Sequence, residues 1–506
     1  MASTSASTSA TSSPHSFSIV GRNLKLNTAE DIRPVLDELE KVQPLEEVHF
    51  GGNTLGVEAC QALADVLQTK KELKVADFAD IFTGRLISEI PLALKALCDS
   101  LISHTSLVEL NLSDNAFGGR SAEPMVDFLS TNRHFQVLRL NNNGLGIQGG
   151  SIVASALIKL ADRLKEAGEE SQLRTVICGR NRLENGSAPV WAEAFKKHGG
   201  LREVRMFQNG IRMEGIEVLS QGLSHCKSLE VLDFQDNTAT VRGSRAIAKA
   251  LSSWPSLTTL NLSDTLLKPR GGAMIFEQLA KGSNNKLENL QLQYNDLDRK
   301  ALSTLASAIS RHLSSLAKLE INGNWADEED DCIEAIKKAL EAHGHEEALD
   351  ELDEMDPEGE EDSDADEEEQ DEEDEAEVSQ ATAAVVVGGP SGASATSAAS
   401  EVPSKEPMAV PASSGTSAAT KDKTESVTDS LVSSAHGEDK KIAEVAADVS
   451  RSAQAVPEKK EQIDATADVG ASAQAVYEQD EKDKHGGSAL DDLTKQLAGA
   501  GISSGQ

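Results

Sequence analysis

The feature that most constrains this chain is a pattern that returns about every 28 residues. Leu107-Val108-Glu109-Leu110-Asn111-Leu112-Ser113-Asp114-Asn115 shows it, with apolar residues at positions one, four and six and an asparagine at nine. Position one falls at Leu45, Leu73, Leu107, Phe135, Leu173, Leu201, Leu229, Leu257, Leu287 and Leu316. Most steps are 28 to 30 residues, and the two long ones, of 34 and 38, begin at Leu73 and Phe135. No single unit of this size can bury its own apolar face, so neighbouring units must stack.

Side-chain direction gives each unit its mechanics. In a short strand the fourth and sixth residues face the core, while the third, fifth and seventh face the inner surface of the stack. Spacers such as Ala59-Cys60-Gln61-Ala62-Leu63-Ala64-Asp65-Val66-Leu67 carry the three-to-four residue apolar spacing of a helix. The sequence therefore predicts an α/β leucine-rich-repeat solenoid, a ribonuclease-inhibitor-like crescent of about 11 repeats with strands inside and helices outside. The ninth-position asparagines (Asn53, Asn115, Asn143, Asn181, Asn209, Asn237, Asn295 and Asn324) are expected to turn inward and satisfy backbone groups, with Thr265 as a short stand-in. Phe17 to Pro44 reads as an atypical cap, and Asp327 to His343 as a last amphipathic helix with Cys332, Ile333, Ile336 and Leu340 on one side. The expected division is a disordered 1–16, a repeat domain over 17–345, an acidic segment over 346–377 and a disordered low-complexity tail over 378–506.

Charge narrows the partners. The formal net charge is −36, and 22 acidic residues with no lysine or arginine lie between Glu346 and Glu377. Such a chain repels nucleic acid and anionic membranes and favours basic proteins. No apolar run approaches the roughly 18 residues of a membrane span. Met1 to Ser16 has neither the apolar core of a secretory signal nor the arginines of a transit peptide. Five scattered cysteines without C-x-x-C spacing suggest reduced thiols in a cytosolic or nuclear setting. No phosphate-binding G-x-x-x-x-G-K-[ST] and no zinc-binding H-E-x-x-H occurs, so no catalytic centre, metal or cofactor is predicted. His343 and His345 read as a solvated helix end rather than metal ligands. In the tail, the stretch around Ala447 to Val456 recurs at Ala467 to Val476 as a drifted duplication. Leu490, Leu493 and Leu497 have the spacing either of a short docking helix or of chance.

Two features point to function. The residue before each ninth-position asparagine forms a row of Asp80, Asp114, Asn142, Arg180, Gln208, Asp236 and Asp264. These residues either satisfy their own turns or form a rim that steers a basic partner. The second feature is a break in the pattern: Ile81 stands where the asparagine belongs, and Thr83-Gly84-Arg85 follows. A guanidinium has five fixed donors and a permanent charge. Arg85 has two structural uses open to it, binding the carbonyls of a distorted turn or pairing with Asp80 or Glu89. Its functional use would be to face phosphate-adjacent groups of a partner.

The order Phe78-x-Asp80-Ile81-Phe82-Thr83-Gly84-Arg85 with Glu89-Ile90-Pro91 resembles the Ran GTPase-activating proteins. So do Leu138-x-Leu140-Asn141-Asn142-Asn143-Gly144-Leu145-Gly146, Gly179-Arg180-Asn181-Arg182-Leu183-Glu184-Asn185-Gly186-Ser187 and Gln208-Asn209-Gly210-Ile211-Arg212, as does an acidic segment directly after the repeats. Met213 departs from the pattern, where proline is expected. The tail is not the SUMO-accepting domain of animal members, so the likeness is to a fungal or protist-type member. The resemblance implies stimulation of GTP hydrolysis by Ran, and hence upkeep of the Ran gradient for nuclear transport. It does so without making the chain itself a hydrolase; the alternative is a plain interaction scaffold. It implies GAP roles for Arg85 and Asn142, with Asp80, Asp114, Asn143, Arg180, Asp236 and Asp264 as partner-binding residues. Ran in its GTP-bound form is the implied partner and a Ran-binding protein a second candidate, with the chain acting as a cytoplasmic monomer (a perinuclear pool being the alternative). In this family the arginine is thought to work other than as an inserted finger, with the GTPase's own glutamine ordered in place. The acidic segment is either an electrostatic attractor or a solvating spacer.

Overall fold

The computed structural model describes residues 14–359, and within them the predicted stack is present. Eleven three-residue strands form one parallel sheet in chain order, from Ser16–Ser18 and Glu47–His49 through to Asn289–Gln291 and Lys318–Glu320. The register repeats without slippage: Val48, Ala76, Leu110, Leu138, Val176, Val204, Leu232, Leu260, Leu290 and Leu319 stand side by side at the fourth position. All ten are buried, as is every residue at position one. Helices such as Val57–Leu67, Met213–Leu223 and Thr240–Leu251 close the outer side, each burying one apolar stripe.

The ninth-position asparagines build a ladder through the interior. The Asn115 amide donates to Asn143 Oδ1 at 2.9 Å, the Asn143 amide to Asn181 Oδ1 at 3.1 Å, and the Asn181 amide to Asn209 Oδ1 at 2.9 Å. Each Nδ2 returns to carbonyls of its own turn or the preceding unit, as Asn143 does to Leu112 and Leu140 at 3.0 Å. Thr265 keeps its place: its amide and Oγ1 both donate to Asn295 Oδ1, at 3.1 and 3.0 Å. These groups have no water to turn to, so the ladder is what makes a polar row tolerable inside the stack.

The two long units spend their extra residues differently. After Phe135 the surplus goes into a 22-residue helix, Gly146–Ala167, on the outer side. After Leu73 it goes into the loop between Val75–Asp77 and the helix Ile90–Leu101.

Both expected boundaries move. Ser16 lies in the first strand, and the His15 carbonyl accepts from the Glu46 and Glu47 amides, so the cap is a working unit that begins before Phe17. At the other end order continues past 345. The Leu319 amide donates to Ala348 and the Asp350 amide to Leu319, while Leu349, Leu352 and Met355 pack against the core. Tyr294 donates to Glu354, and Asn322 Nδ2 to Asp353 at 2.9 Å. The start of the acidic segment therefore seals the last strand. His343 and His345 bond backbone carbonyls of Ile309 and Ser314 at 3.0 and 3.1 Å. The five cysteines are free and buried, and burial pushes the thiols of Cys60, Cys98, Cys178 and Cys226 up to about 12. No helix among the described residues is long and apolar enough to cross a membrane. The expectations for 1–13, for most of the acidic run and for the tail, including the duplication and Leu490 to Leu497, lie outside the described residues.

Candidate functional site

The loops that leave the strands carry the candidate residues. Asp80, Asp114, Asn142, Arg180, Gln208, Asp236, Asp264 and Tyr294 all have left-handed backbones, with φ between 47° and 61°. The cause lies in the backbone wiring. Each of these amides donates to the seventh-position carbonyl of the next unit: Asp80 to Ser113, Asp114 to Asn141, Asn142 to Gly179, Arg180 to Phe207 and Asp264 to Gln293. That geometry explains the preference for Asp and Asn. It does not explain Arg180, Gln208 or Tyr294, where the frame imposes a conformation that costs about 1 kcal/mol or more.

The side chains of this row stay near the surface. Asp114, Asn142, Arg180 and Asp264 are exposed, and Asp80 and Asp236 half-buried. Asn142 Nδ2 donates to Asp114 Oδ1 at 3.1 Å, which joins two neighbouring loops. The Asp264 carboxyl is pushed up by partial burial, and the carboxylates of Asp236 and Asp296 add to the shift. Negative charge therefore accumulates along this part of the rim. Several charges of the inner face are paired, as Asp296 of the rim is with Lys268 at 2.7 Å. Arg139 donates to Glu109 at 2.7 Å, and Arg205 to Glu203 at 2.6 Å and Asp233 at 3.4 Å.

Where Ile81 replaces asparagine the ladder is rerouted. In a regular unit a backbone amide two residues past the ladder asparagine bonds the next asparagine's Oδ1, as Ile211 does with Asn237 at 3.0 Å. Here the Leu55 amide turns instead to the Ile81 carbonyl at 2.9 Å, and the Ile81 side chain is sealed in the core. The loop beyond is tied from outside. Thr83 Oγ1 donates to Asp80 at 2.6 Å, Gly84 takes φ 77°, and the Arg85 amide closes a turn on Phe82 at 3.0 Å.

Arg85 itself is half-buried. Its Nε donates to Thr54 Oγ1 at 2.8 Å, Nη2 to the Thr54 carbonyl at 2.8 Å and the Leu26 carbonyl at 3.4 Å, and Nη1 to Asn27 Oδ1 at 2.8 Å. Of the structural partners considered from sequence, neither Asp80 nor Glu89 is used, and the carbonyls come from earlier units rather than from the arginine's own turn. Next to it, Leu86 and Ile87 are 66% and 65% exposed.

One candidate is corrected. Asn143 is fully buried in the ladder with its amide groups engaged, so it cannot contact a partner. Only its neighbour Asn142 is displayed. Asn27 and Thr54 carry no local mark in the sequence, because their ties to Arg85 span 58 and 31 residues.

The repeats, the buried ladder and the left-handed rim define a leucine-rich-repeat protein with a polar loop edge. Residues 103–126 match the family model described as Leucine Rich repeat. The chain is 40% identical over 334 residues to Ran GTPase-activating protein 1 of Saccharomyces cerevisiae, covering 64% of this chain and 82% of that protein. It is 46% identical over 198 residues to Ran GTPase-activating protein 1 of Xenopus laevis, covering 38% of this chain and 34% of that one. With Ran GTPase-activating protein 2 of Caenorhabditis elegans it shares 45% over 204 residues, 40% of this chain and 21% of the worm protein. An internalin from Listeria monocytogenes, with a TM-score of 0.33 and 16% identity over 59% of this chain and 80% of that one, is too slight a likeness to add to this. The chain belongs to the Ran GTPase-activating protein family.

Proposed function

We propose that this chain accelerates GTP hydrolysis by Ran in its GTP-bound form, supplying no reacting group of its own to a substrate. The observation that carries the reading is the match to the yeast protein over four-fifths of that protein's length, taken with the rim's geometry. The rim supports a recognition role for Asp80, Asp114, Arg180, Asp236 and Asp264, since these residues stand on backbones fixed by the next unit and the Asp236 and Asp296 carboxylates act on Asp264. Facing charges of opposite sign speed encounter more than they tighten binding. Asn142 is displayed on a backbone held by the next unit, so its amide can touch a partner's catalytic groups without a search. Arg85 does not have the shape of an inserted finger, because its fork is spent on its own chain.

A strongly acidic chain suits a basic partner surface, and a Ran-binding protein on the same GTPase is compatible with that. The chain acts as a monomer in the cytoplasm on this reading, with no nucleic acid or membrane as partner. The test is release of phosphate from purified Ran·GTP with and without substoichiometric amounts of the full chain. Acceleration supports the reading. A flat trace at every concentration leaves the interaction scaffold as the better description.

A further inference from the structure

We propose that Asn27 and Thr54 are positioning residues for the stimulation of Ran, acting through Arg85 to give the Thr83–Ser88 loop one shape. The inference rests on the functional reading above and adds to it two residues from earlier units. Of the six residues from Thr83 to Ser88, all but Arg85 are exposed, so the loop has no apolar anchor of its own. Thr83 bonds Asp80 at one end and Leu86 bonds Glu89 and Ile90 at the other, and between them the loop is tied to earlier units by the guanidinium. That group lays three of its nitrogens on acceptors of two preceding units: Thr54 Oγ1, Thr54 and Leu26 carbonyls, and Asn27 Oδ1. Planar and rigid, it fixes a direction as well as a contact.

The seat is shaped for it. Leu26 pairs with Leu55 in a small two-stranded sheet beside the main one, which sets the two carbonyls side by side. Gly56 lies beneath, where an added Cβ would stand 2.5 Å from the Asn27 carbonyl oxygen and 3.2 Å from Arg85 Nη1. Any larger residue would push the cap away from the arginine. All four acceptors are neutral; the Asp31 carboxyl, held down first by the Thr28 amide, also feels the charge of Arg85. Swinging Arg85 outward into a partner would break all four bonds at once, whereas leaving it in place keeps the loop rigid at no further entropic cost.

The experiment compares full-length Thr54→Val, Asn27→Ala, their double variant, Thr54→Ser and Arg85→Ala in single-turnover GTP hydrolysis on Ran, with hydrogen exchange of residues 80–90 measured in parallel. Thr54→Val and Asn27→Ala should each lower stimulation about tenfold and the double variant about a hundredfold. Thr54→Ser, which keeps the hydroxyl, should match the wild type. The amides of 83–89 should exchange faster in the double variant. Asn27 is exposed, so Asn27→Ala alone decides the matter if the double variant melts early. The inference is overturned if both single variants stimulate like the wild type while Arg85→Ala is inactive, for then Arg85 acts on the partner directly. It is equally overturned if Thr54→Ser fails as badly as Thr54→Val. A wild-type chain that does not stimulate Ran at all counts against the functional reading, and the exchange data then test the staple on their own.

Discussion

The unit that starts at Leu73 and the one that starts at Leu201 use the same strand and a similar helix, yet beyond the ninth position they hold their loops by different means. At Leu201 the loop hangs from inside: Asn237 Oδ1 accepts from the amides of Asn209 and Ile211, and Asn209 Nδ2 reaches the carbonyls of Cys178 and Met206. At Leu73 the Ile81 amide still reaches Asn115 Oδ1 at 2.9 Å, but the apolar Ile81 side chain offers no ladder group, and the longer loop beyond it is held by Thr83 on Asp80 and by the Arg85 guanidinium. The buried amide makes a loop part of the core. The half-buried guanidinium ties its loop to acceptors at the edge of the stack and leaves the buried ladder untouched.

Breaking the regular arrangement should show the largest effect. Asn181→Ala strips an acceptor from the Asn143 amide and donors from the Leu140 and Gly179 carbonyls, all buried. We expect a loss of about 4 kcal/mol in denaturant unfolding. A loss under about 1 kcal/mol would show that the ladder is not what supports the loops.

Acid should then load the regular part. His198 bridges the Leu157 carbonyl at 2.9 Å and Ser171 at 2.6 Å, and burial pushes it down to about 4. Its folded value lies below its unfolded one, so its contribution is complete above about pH 6.5 and disappears as pH falls toward 4. The total is about 3 kcal/mol. His104, also buried, runs in the same direction. His49 runs the other way, since the bond to Asp77 raises it. Its share is present below about pH 6.5 and is lost as pH rises through its folded value. Stability curves of His198→Gln that keep the full acid dependence would remove His198 from the account.

A smaller effect should follow at the irregular unit. Ile81→Asn restores the repeat's own consensus, yet we expect it to destabilise by about 2 kcal/mol. The Leu55 amide is already satisfied by the Ile81 carbonyl, so the new amide would enter an apolar seat. A neutral result in a melt would mean that the ladder can reform there. The smallest change concerns the rim. Asp264→Asn should slow association with Ran about two- to fivefold at low salt, the difference vanishing at high salt. The Asp264 carboxyl is raised in the fold, so its charged form costs stability as pH rises. The same variant should therefore be slightly more stable at neutral pH.

Much of this fold was legible because it repeats. Positions one, four and six had to be apolar to pack unit on unit, and the ninth had to be a short amide for a ladder to form. The left-handed rim was not legible, since Arg180, Gln208 and Tyr294 are poor signals for a conformation that only the next unit's carbonyl imposes. The burial of Asn143 was legible from its ninth place in the repeat, and the contact role that the resemblance implied for it conflicts with that place. The end of the stack was set too early because acidic residues hid the spacing of Leu349, Leu352 and Met355. Arg85 was legible as an exception, but its acceptors were not.

The most direct measurement is Ran·GTP turnover beside unfolding for Arg85→Ala and the wild type. The wild type is expected to speed hydrolysis by roughly a thousandfold or more, as activators of small GTPases do. Arg85→Ala should lose at least about a hundredfold of that while its unfolding midpoint barely moves. Undiminished stimulation by Arg85→Ala, or loss of activity together with loss of the fold, would contradict it.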